Sequence, residues 1–562
     1  DTNKDGLFNN LDQPRNLDSL VRHDFQDEVL RTAFSHNHNI SLSGNSNGTN
    51  YSAALGYLSQ DAIVKGNDNN RFTFRLNLNR DFGKRLKIGL NANTSNNVFN
   101  GPSHSGGGAG LFNGVVQNIL ISRPVEFFDP LWDRTSVYVS PLSMFEQAYK
   151  SMSTSQNTVN GNLNYKIASG LSLNLSGGGI WTDSKGKEFY GKKTDWGVMD
   201  RGLGILQYSK SRYLYNTNQL VYEKAFNEKH YINAMAAMEL GQFDFEYFNV
   251  SKSNFTNEET GIDDISKGAT AKGSSSSRDI SRRISYFGRL NYTFAGRHLL
   301  TATYRADGSD KFGKGNRFGF FPSFAYAWIA SDEAFLKNSK TISNLKLRLS
   351  YGQTGNERIP SFRYLPRLSN RYYEGLLGFA PSSRENPNLK WENTTQYNVG
   401  IDLGLFRNRV NLTFDWYNKQ TDDMLIDAYV AARTGYSRQW QNIGRVDNSG
   451  IEFQINSKNV DRENFTWETT LTVSGNKNVV KSIGNLDFIP VTVGGSWIVD
   501  VGRVVVGNQI GTGYGYKFDG VYQVDDFTWQ NNSDPTIPHR DRAYLLKDGV
   551  VSLAGQNVKP GY

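Results

Sequence analysis

The 562 residues carry a formal charge of +8, with 38% hydrophobic and 13% aromatic residues and no cysteine. The missing cysteines exclude disulfides, thiolate metal sites and a cysteine nucleophile, and no run approaches the ~18 consecutive apolar residues of a membrane helix. The mild charge fits anionic lipid headgroups or acidic ligands, and equally a solvated surface slightly rich in Lys and Arg; no nucleic-acid partner is expected. The 29 Tyr, 34 Phe and 10 Trp exceed what so polar a soluble protein carries and suit the aromatic girdles of a membrane barrel.

In chain order, Asp1, Asn3, Asp5 and Gly6 match the start of a calcium-loop pattern, and Asp12 stands where a bidentate Glu is expected. Asp is shorter than Glu, no helix precedes, and a polar turn accounts for the same residues, so no cofactor is expected. His36 and His38 share one face of the first expected strand. Two histidines without a third ligand among Asn-rich neighbours read as a polar face rather than a metal site.

Period-two alternation then recurs. Phe72, Phe74, Leu76 and Leu78 alternate with polar residues, as do Leu86, Ile88, Leu90 and Ala92, and then Leu171, Leu173 and Leu175. The same holds for Leu345, Leu347, Leu349 and Tyr351, for Val410, Leu412, Phe414 and Trp416, and for Phe465, Trp467, Leu471 and Val473. Such segments have one apolar and one polar face. About sixteen lie between His36 and Gly475, each about ten residues, the length of a tilted strand crossing a bilayer.

The connections alternate in length. Short ones fall at 46–48, 83–85, 168–170, 225–229, 295–297, 406–408 and 459–463. Longer ones fall at 59–70, 96–158, 182–210, 244–282, 308–318, 354–393 and 420–449. A longer connection on the short side, 331–343, carries Ser331 to Leu336, which reads as a capped helical turn. Long-short alternation points to an all-β, transmembrane, antiparallel up-and-down β-barrel, with short turns inside and long loops outside. Soluble sandwiches and propellers have strands of about five or six residues and no such asymmetry.

The Gly-rich stretch from Gly101 to Gly110 opens no βαβ unit and lacks a Gly-Lys-Ser/Thr ending, so it is a loop and not a phosphate cradle. No Ser sits in a nucleophile elbow, and catalysis has no support. Trp132, Trp181, Trp196, Trp440, Trp497 and Trp529 fall in or beside loops, near Tyr, Asn and Asp. Aromatic faces and amides suit sugars or peptides; girdle aromatics explain several, Trp181 above all because it is expected to end a strand. No single residue is assigned to substrate.

Particular phrases add a resemblance. They include Asp24-Phe25-Gln26-Asp27-Glu28, the run from Arg31 to Asn39, Tyr304 to Gly313, and Phe321-Pro322-Ser323. Further on are Leu347 to Asn356, Asn386-Pro387-Asn388-Leu389-Lys390-Trp391-Glu392, Asn442-Ile443-Gly444 with Asn448 to Glu452, and Tyr514-Gly515-Tyr516. In order and spacing the chain resembles the SusC/RagA family of TonB-dependent transporters of Bacteroidetes. The resemblance implies a nutrient importer, not an enzyme, in the outer membrane of a Gram-negative bacterium, surrounded by outer-membrane lipid. It implies uptake of oligosaccharides or peptides with a SusD-like surface lipoprotein, energised by the TonB–ExbB–ExbD complex. An alternative is a non-transporting surface barrel with an adhesive or structural role. Members carry a plug before the barrel and closing strands after it. Residues 1–562 are accordingly expected to be a partial barrel domain lacking both.

Overall fold

In the computed structural model the described residues are 22–101, 119–120, 142–491 and 502–515, with three further short strands at Phe527–Trp529, Tyr544–Leu546 and Val551–Ser552. Residues 1–12, with the calcium-like pattern, lie outside them, as do 102–110 of the Gly-rich loop.

Sixteen strands form one sheet. In chain order they begin with β1 (Ser35–Ser46), β2 (Thr49–Asp61), β3 (Asp68–Phe82), β4 (Leu86–Asn100), β5 (Ala148–Ala168) and β6 (Leu171–Tyr190). There follow β7 (Leu203–Phe226), β8 (His230–Phe255), β9 (Gly268–Phe294), β10 (His298–Ser309), β11 (Phe318–Ile329) and β12 (Ile342–Asn356). Two strands of a second sheet intervene, β13 (Arg367–Tyr373) and β14 (Leu376–Arg384), before β15 (Glu392–Leu405) and β16 (Val410–Asp422). After β17 (Leu425–Tyr429) and β18 (Arg438–Asn442) the large sheet ends with β19 (Arg445–Arg462) and β20 (Phe465–Ser482). Each strand pairs antiparallel with the next in the wall, the up-and-down order expected from the alternation. Among the described residues β1 and β20 each have one wall neighbour.

The alternation becomes two chemically distinct faces. Across six strands, Trp328, Leu347, Ile401, Phe414, Phe453 and Val473 stand opposite one another in one register row. Leu349 is 50% exposed and Val473 53%, as an apolar face directed at lipid requires. The intervening positions carry Arg, Asp, Asn, Gln and Thr. Tight connections keep the register: Asn47 and Gly48 both have positive φ, the two-residue turn whose twist matches paired strands. Among the described residues no helix is long and apolar enough to cross a membrane; the strands do the crossing.

Four sequence expectations need correction. Strands β5 to β9 run 20–27 residues rather than about ten. Their outer halves stand beyond the bilayer with water on both faces, so period two is no longer enforced there; residues 274–277 of β9 are four consecutive exposed serines. The loops expected at 182–210 and 244–282 shrink to 191–202 and 256–267, the one at 59–70 is a short connection, and Trp181 lies mid-strand in β6. Residues 331–336 do not form a side-chain-capped helix. Ala330–Asp332 is one 3₁₀ turn, and the carboxylate of Glu333 instead accepts from Arg297 Nη1 at 2.5 Å and Trp328 Nε1 at 3.2 Å. The long connections 354–393 and 420–449 are not plain loops, because they assemble a four-stranded sheet ordered β13-β14-β18-β17.

Candidate functional site in the lumen and rim

The polar face of the wall gathers charge in neighbouring register rows. Arg348 on β12 lies opposite Gly400 on β15, which lies opposite Asp415 on β16. The Arg348 guanidinium donates to both Asp402 oxygens at 2.9 and 3.0 Å and to both Asp415 oxygens at 2.9 and 3.0 Å. It reaches Asp415 by crossing over Gly400, where a Cβ would stand 2.5 Å from the Asp415 carboxylate and 2.6 Å from the guanidinium carbon. The fork geometry of Arg suits two carboxylates at once. Beside it a concavity of about 590 Å³ is lined by Gln396, Asn398, Tyr417, Lys419, Glu452 and Asn476 on the same face.

A second network sits on β7 to β10. Glu239 accepts from Thr217 Oγ1 at 3.3 Å and pairs with Arg283 and Arg305, each at 3.6 Å; Arg305 also donates to Asp307 at 2.7 Å. Both networks are ion pairs in the half-buried inner wall, where hydrogen bonds offset the desolvation cost. They present hydrogen-bonding, charge-bearing side chains to whatever occupies the interior. Alternation assigned Arg348 and Asp415 to a polar face, and the other members of the two networks were not singled out. The signal that could have found the networks was opposite charges on three neighbouring wall strands, β8 to β10 in one case and β12, β15 and β16 in the other.

The loop end is built differently, around buried apolar clusters. Phe312, Phe321, Ile359, Leu389 and Trp391 form one, with Tyr364, Leu425 and Trp440 packed against it. The segment 386–392 is its clamp. Leu389 is 0% exposed and Trp391 8%, and Trp391 Nε1 donates to the Arg317 carbonyl at 2.8 Å. Asn386 donates to the Trp440 carbonyl at 2.8 Å, and Asn442 Nδ2 to the Lys390 carbonyl at 2.7 Å. Glu392 accepts from Asn356 Nδ2 at 3.0 Å and from the Leu425 backbone at 3.1 Å. The phrases 304–313, 321–323, 347–356, 386–392 and 442–444, far apart in the chain, thus meet in one rim cluster. A second cluster joins Phe25 and Val29 to Val64, Met144, Tyr190 and Leu203; the short helix bearing Phe25 is capped by Asp24, which accepts from the Gln26 and Asp27 backbones. A third packs Phe189, Phe255 and Ile262. Beside it Lys187 and Asp263 pair at 2.7 Å, which raises the lysine pKa and lowers that of the carboxylate through their mutual hydrogen bond.

Of the six tryptophans singled out by sequence, Trp440 lies on β18 at the rim cluster and Trp181 is half-buried on β6. Trp196 sits in the short helical turn Asp195–Val198 and Trp529 ends a three-residue strand, their side chains being outside the described ones. Trp132 and Trp497 lie outside the described residues. His36 and His38 do share a face of β1, with ring centroids 5.1 Å apart. Among the described residues no group of three or more His, Asp or Glu is arranged to hold a metal.

Residues 3–548 match the family described as TonB dependent receptor-like, beta-barrel. The chain belongs to the TonB-dependent receptor β-barrel family. Family members are outer-membrane receptors of Gram-negative bacteria rather than enzymes, which places the sixteen-stranded wall in that membrane, its tight turns on the periplasmic side and its rim outside. The chain is 31% identical over 501 residues to the TonB-dependent receptor SusC of Bacteroides thetaiotaomicron, covering 82% of this chain and 48% of that protein. It is 30% identical over 534 residues to the TonB-dependent receptor P3 of Formosa agariphila, covering 91% and 53%. These relatives agree with the SusC/RagA resemblance of the sequence phrases. The chain spans about half the length of the curated relatives it matches. Its fold is that of the RagAB peptide importer in the 'open-open' state, with a TM-score of 0.74 at 21% identity over 94% of this chain and 57% of that one.

Proposed function

We propose that this barrel is the wall of a TonB-dependent nutrient importer of the SusC type, taking up oligosaccharides or peptides together with a SusD-like surface lipoprotein. The observation that carries the reading is the charged inner wall: Arg348, Asp402, Asp415 and Glu452, with neighbouring amides, line the route inward, whereas a purely structural wall has no need of them. In a longer protein that interior also receives a plug, through which the TonB–ExbB–ExbD complex acts; residues 1–562 then form a partial barrel domain. At the rim, the hairpin of β13 and β14 holds Leu368, Tyr372 and Phe379 at 63–75% exposure on one apolar face. An apolar patch of this kind outside the membrane marks a protein contact, and a capping lipoprotein is the partner that fits. The SusC relative and the RagAB peptide importer, so named, support the transport class.

The test is deletion of the full-length gene in its host, followed by growth on single glycans and peptides as sole carbon source. Growth is expected to fail on one polymer and to be restored by the wild-type gene. In contrast, the Arg348→Ala gene is expected to restore it only in part. Normal growth on every glycan and peptide, with altered surface attachment, would establish the adhesive alternative instead.

A further inference from the structure

The outward face of the wall carries a groove that the transport reading does not use. Tyr286, Leu290, Tyr304 and Phe320, all 45–56% exposed, mark the lipid-facing positions of β9 to β11. On that face, farther from the periplasmic turns, Leu240, Ile284, Gly308 and Phe318 stand opposite one another in a single row. Leu214 and Gln242 are paired in the next row, and Gln242 is paired with Arg282. Together they line a concavity of about 570 Å³, whose rim includes Asp310 and Arg317. Gly308 keeps it open on one side: a Cβ there would stand 2.8 Å from the Phe318 ring and 3.1 Å from Ile284 Cγ2.

The groove has a chemical gradient along the membrane normal. Leu240 is about ten residues from the turn that precedes β8, the span of one bilayer crossing. Gln242 and Arg282 lie two register pairs beyond, at the headgroups of the outer leaflet. Arg282 is held in place: its Nε donates to Gln242 Oε1 at 3.1 Å and its backbone N–H to the Asp310 carboxylate at 2.9 Å. Among the described residues neither of its terminal nitrogens makes a hydrogen bond, and Arg317, also lining the concavity, is exposed. Neither arginine belongs to an ion pair among the described residues, whereas Arg212, nearby on the same face, is paired with Asp244 at 2.7 Å. The groove therefore combines an apolar floor at acyl-chain depth with two uncommitted guanidinium groups at headgroup depth. β7 to β11 are each paired on both edges within the sheet, so the groove lies on the face of the wall and not at a sheet edge.

We infer that this groove is a binding site for a phosphorylated, multiply acylated lipid of the outer leaflet, one acyl chain lying along Leu240, Ile284 and Phe318 and a phosphate held by Arg282 and Arg317. Guanidinium forks match phosphate oxygens in pairs, and a zwitterionic lipid offers them less. The site needs no substrate, plug or partner, so it stands apart from the transport reading.

The experiment reconstitutes the purified full-length protein in nanodiscs containing diphosphorylated lipid A, dephosphorylated lipid A or phosphatidylethanolamine, and reads retained lipid by native mass spectrometry. A photo-crosslinking residue in place of Phe318 reports occupancy of the groove. Retention of the diphosphorylated form is expected to exceed that of the dephosphorylated form by roughly tenfold, given two basic groups at an anionic headgroup. The preference should disappear in Arg282→Gln/Arg317→Gln, which leaves the strands intact, and crosslinking should fall in Gly308→Leu. Equal retention of all three lipids, or an unchanged preference in the double variant, overturns the proposal. So does displacement by millimolar inorganic phosphate, which would make the site one for free phosphate.

Discussion

Wall and rim use the same residue types in opposite ways. In the wall Leu349 is 50% exposed and Trp416 40%, and the residues opposite them are also apolar. At the rim Leu389 is 0% exposed and Trp391 8%, enclosed by Phe312, Phe321 and Ile359. This cluster, those of Phe25 and Phe189, and a fourth of Val446, Val480 and Ile483 all lie at the loop end. The difference follows from the solvent. In lipid an exposed Leu costs nothing, and the sheet is held by its backbone ladder, which must be complete where no water can replace a lost hydrogen bond. Outside the membrane the loops meet water and need the hydrophobic effect, so they build small cores of their own.

The sharpest way to break the contrast is truncation in the rim. Trp391→Ala removes the largest side chain of the clamp and its hydrogen bond to the Arg317 carbonyl. Such a change costs about 3–5 kcal/mol, enough to release the four-stranded sheet without unfolding the wall. Limited proteolysis of the full-length protein in detergent should then cut within 357–391 and 423–444 while leaving the strands β1 to β12 as one resistant fragment. Cleavage throughout the chain would mean that wall and rim fold as one unit.

That contrast also explains what was readable in the sequence. The wall was legible because a membrane enforces period two over each crossing: Leu345, Leu347 and Leu349 fall on one face with Lys346, Arg348 and Ser350 on the other, and the strand count follows. Beyond the bilayer nothing enforces it. The serines at 274–277 belong to a strand and read as a loop, and Trp181 could be taken for a strand end. The rim sheet was illegible for a further reason, since β14 pairs with β18 across about 55 residues, Ser383 opposite Arg438, and the core beside it draws Phe312, Phe321, Ile359 and Leu389 from separate stretches of the chain. The family phrases marked where that core lies, although not that the phrases touch. In the lumen, the polar character of Arg348 was visible, but its reach across Gly400 to Asp415 needed the register.

A smaller effect separates the two regions at a single residue type. Leu349→Ala should be nearly silent, because lipid already covers that face, whereas Leu389→Ala in the rim should be costly. Leu349→Lys should destabilise the wall by about 2–4 kcal/mol if the position lies near the bilayer midplane, and by less nearer an interface. Urea titration of the protein refolded into liposomes reads the difference. A costly Leu349→Ala would mean that another protein surface, not lipid, covers this part of the wall.

The smallest expected effect lies where strand meets rim. Lys187 on the outer half of β6 and Asp263 in the turn after β8 tie two hairpins together, and each one's pKa is shifted first by their mutual hydrogen bond and further by the partner's charge. The Asp263 carboxyl is held below its ordinary 3.8, so its contribution is present above that value and is lost as pH falls through the lowered one. Lys187 is raised above its ordinary 10.5, so its contribution is present below 10.5 and is lost as pH rises beyond it. Between those limits the tie is constant, and at so exposed a site salt screens it. Amide exchange in residues 256–267 should therefore be flat from about pH 5 to 9 once corrected for intrinsic rate, and should rise slightly in Asp263→Asn at low salt only. A rise of equal size at high salt would show that the turn is held by the packing of Phe189, Phe255 and Ile262, and that even this exposed edge of the rim obeys the rule of its buried clusters.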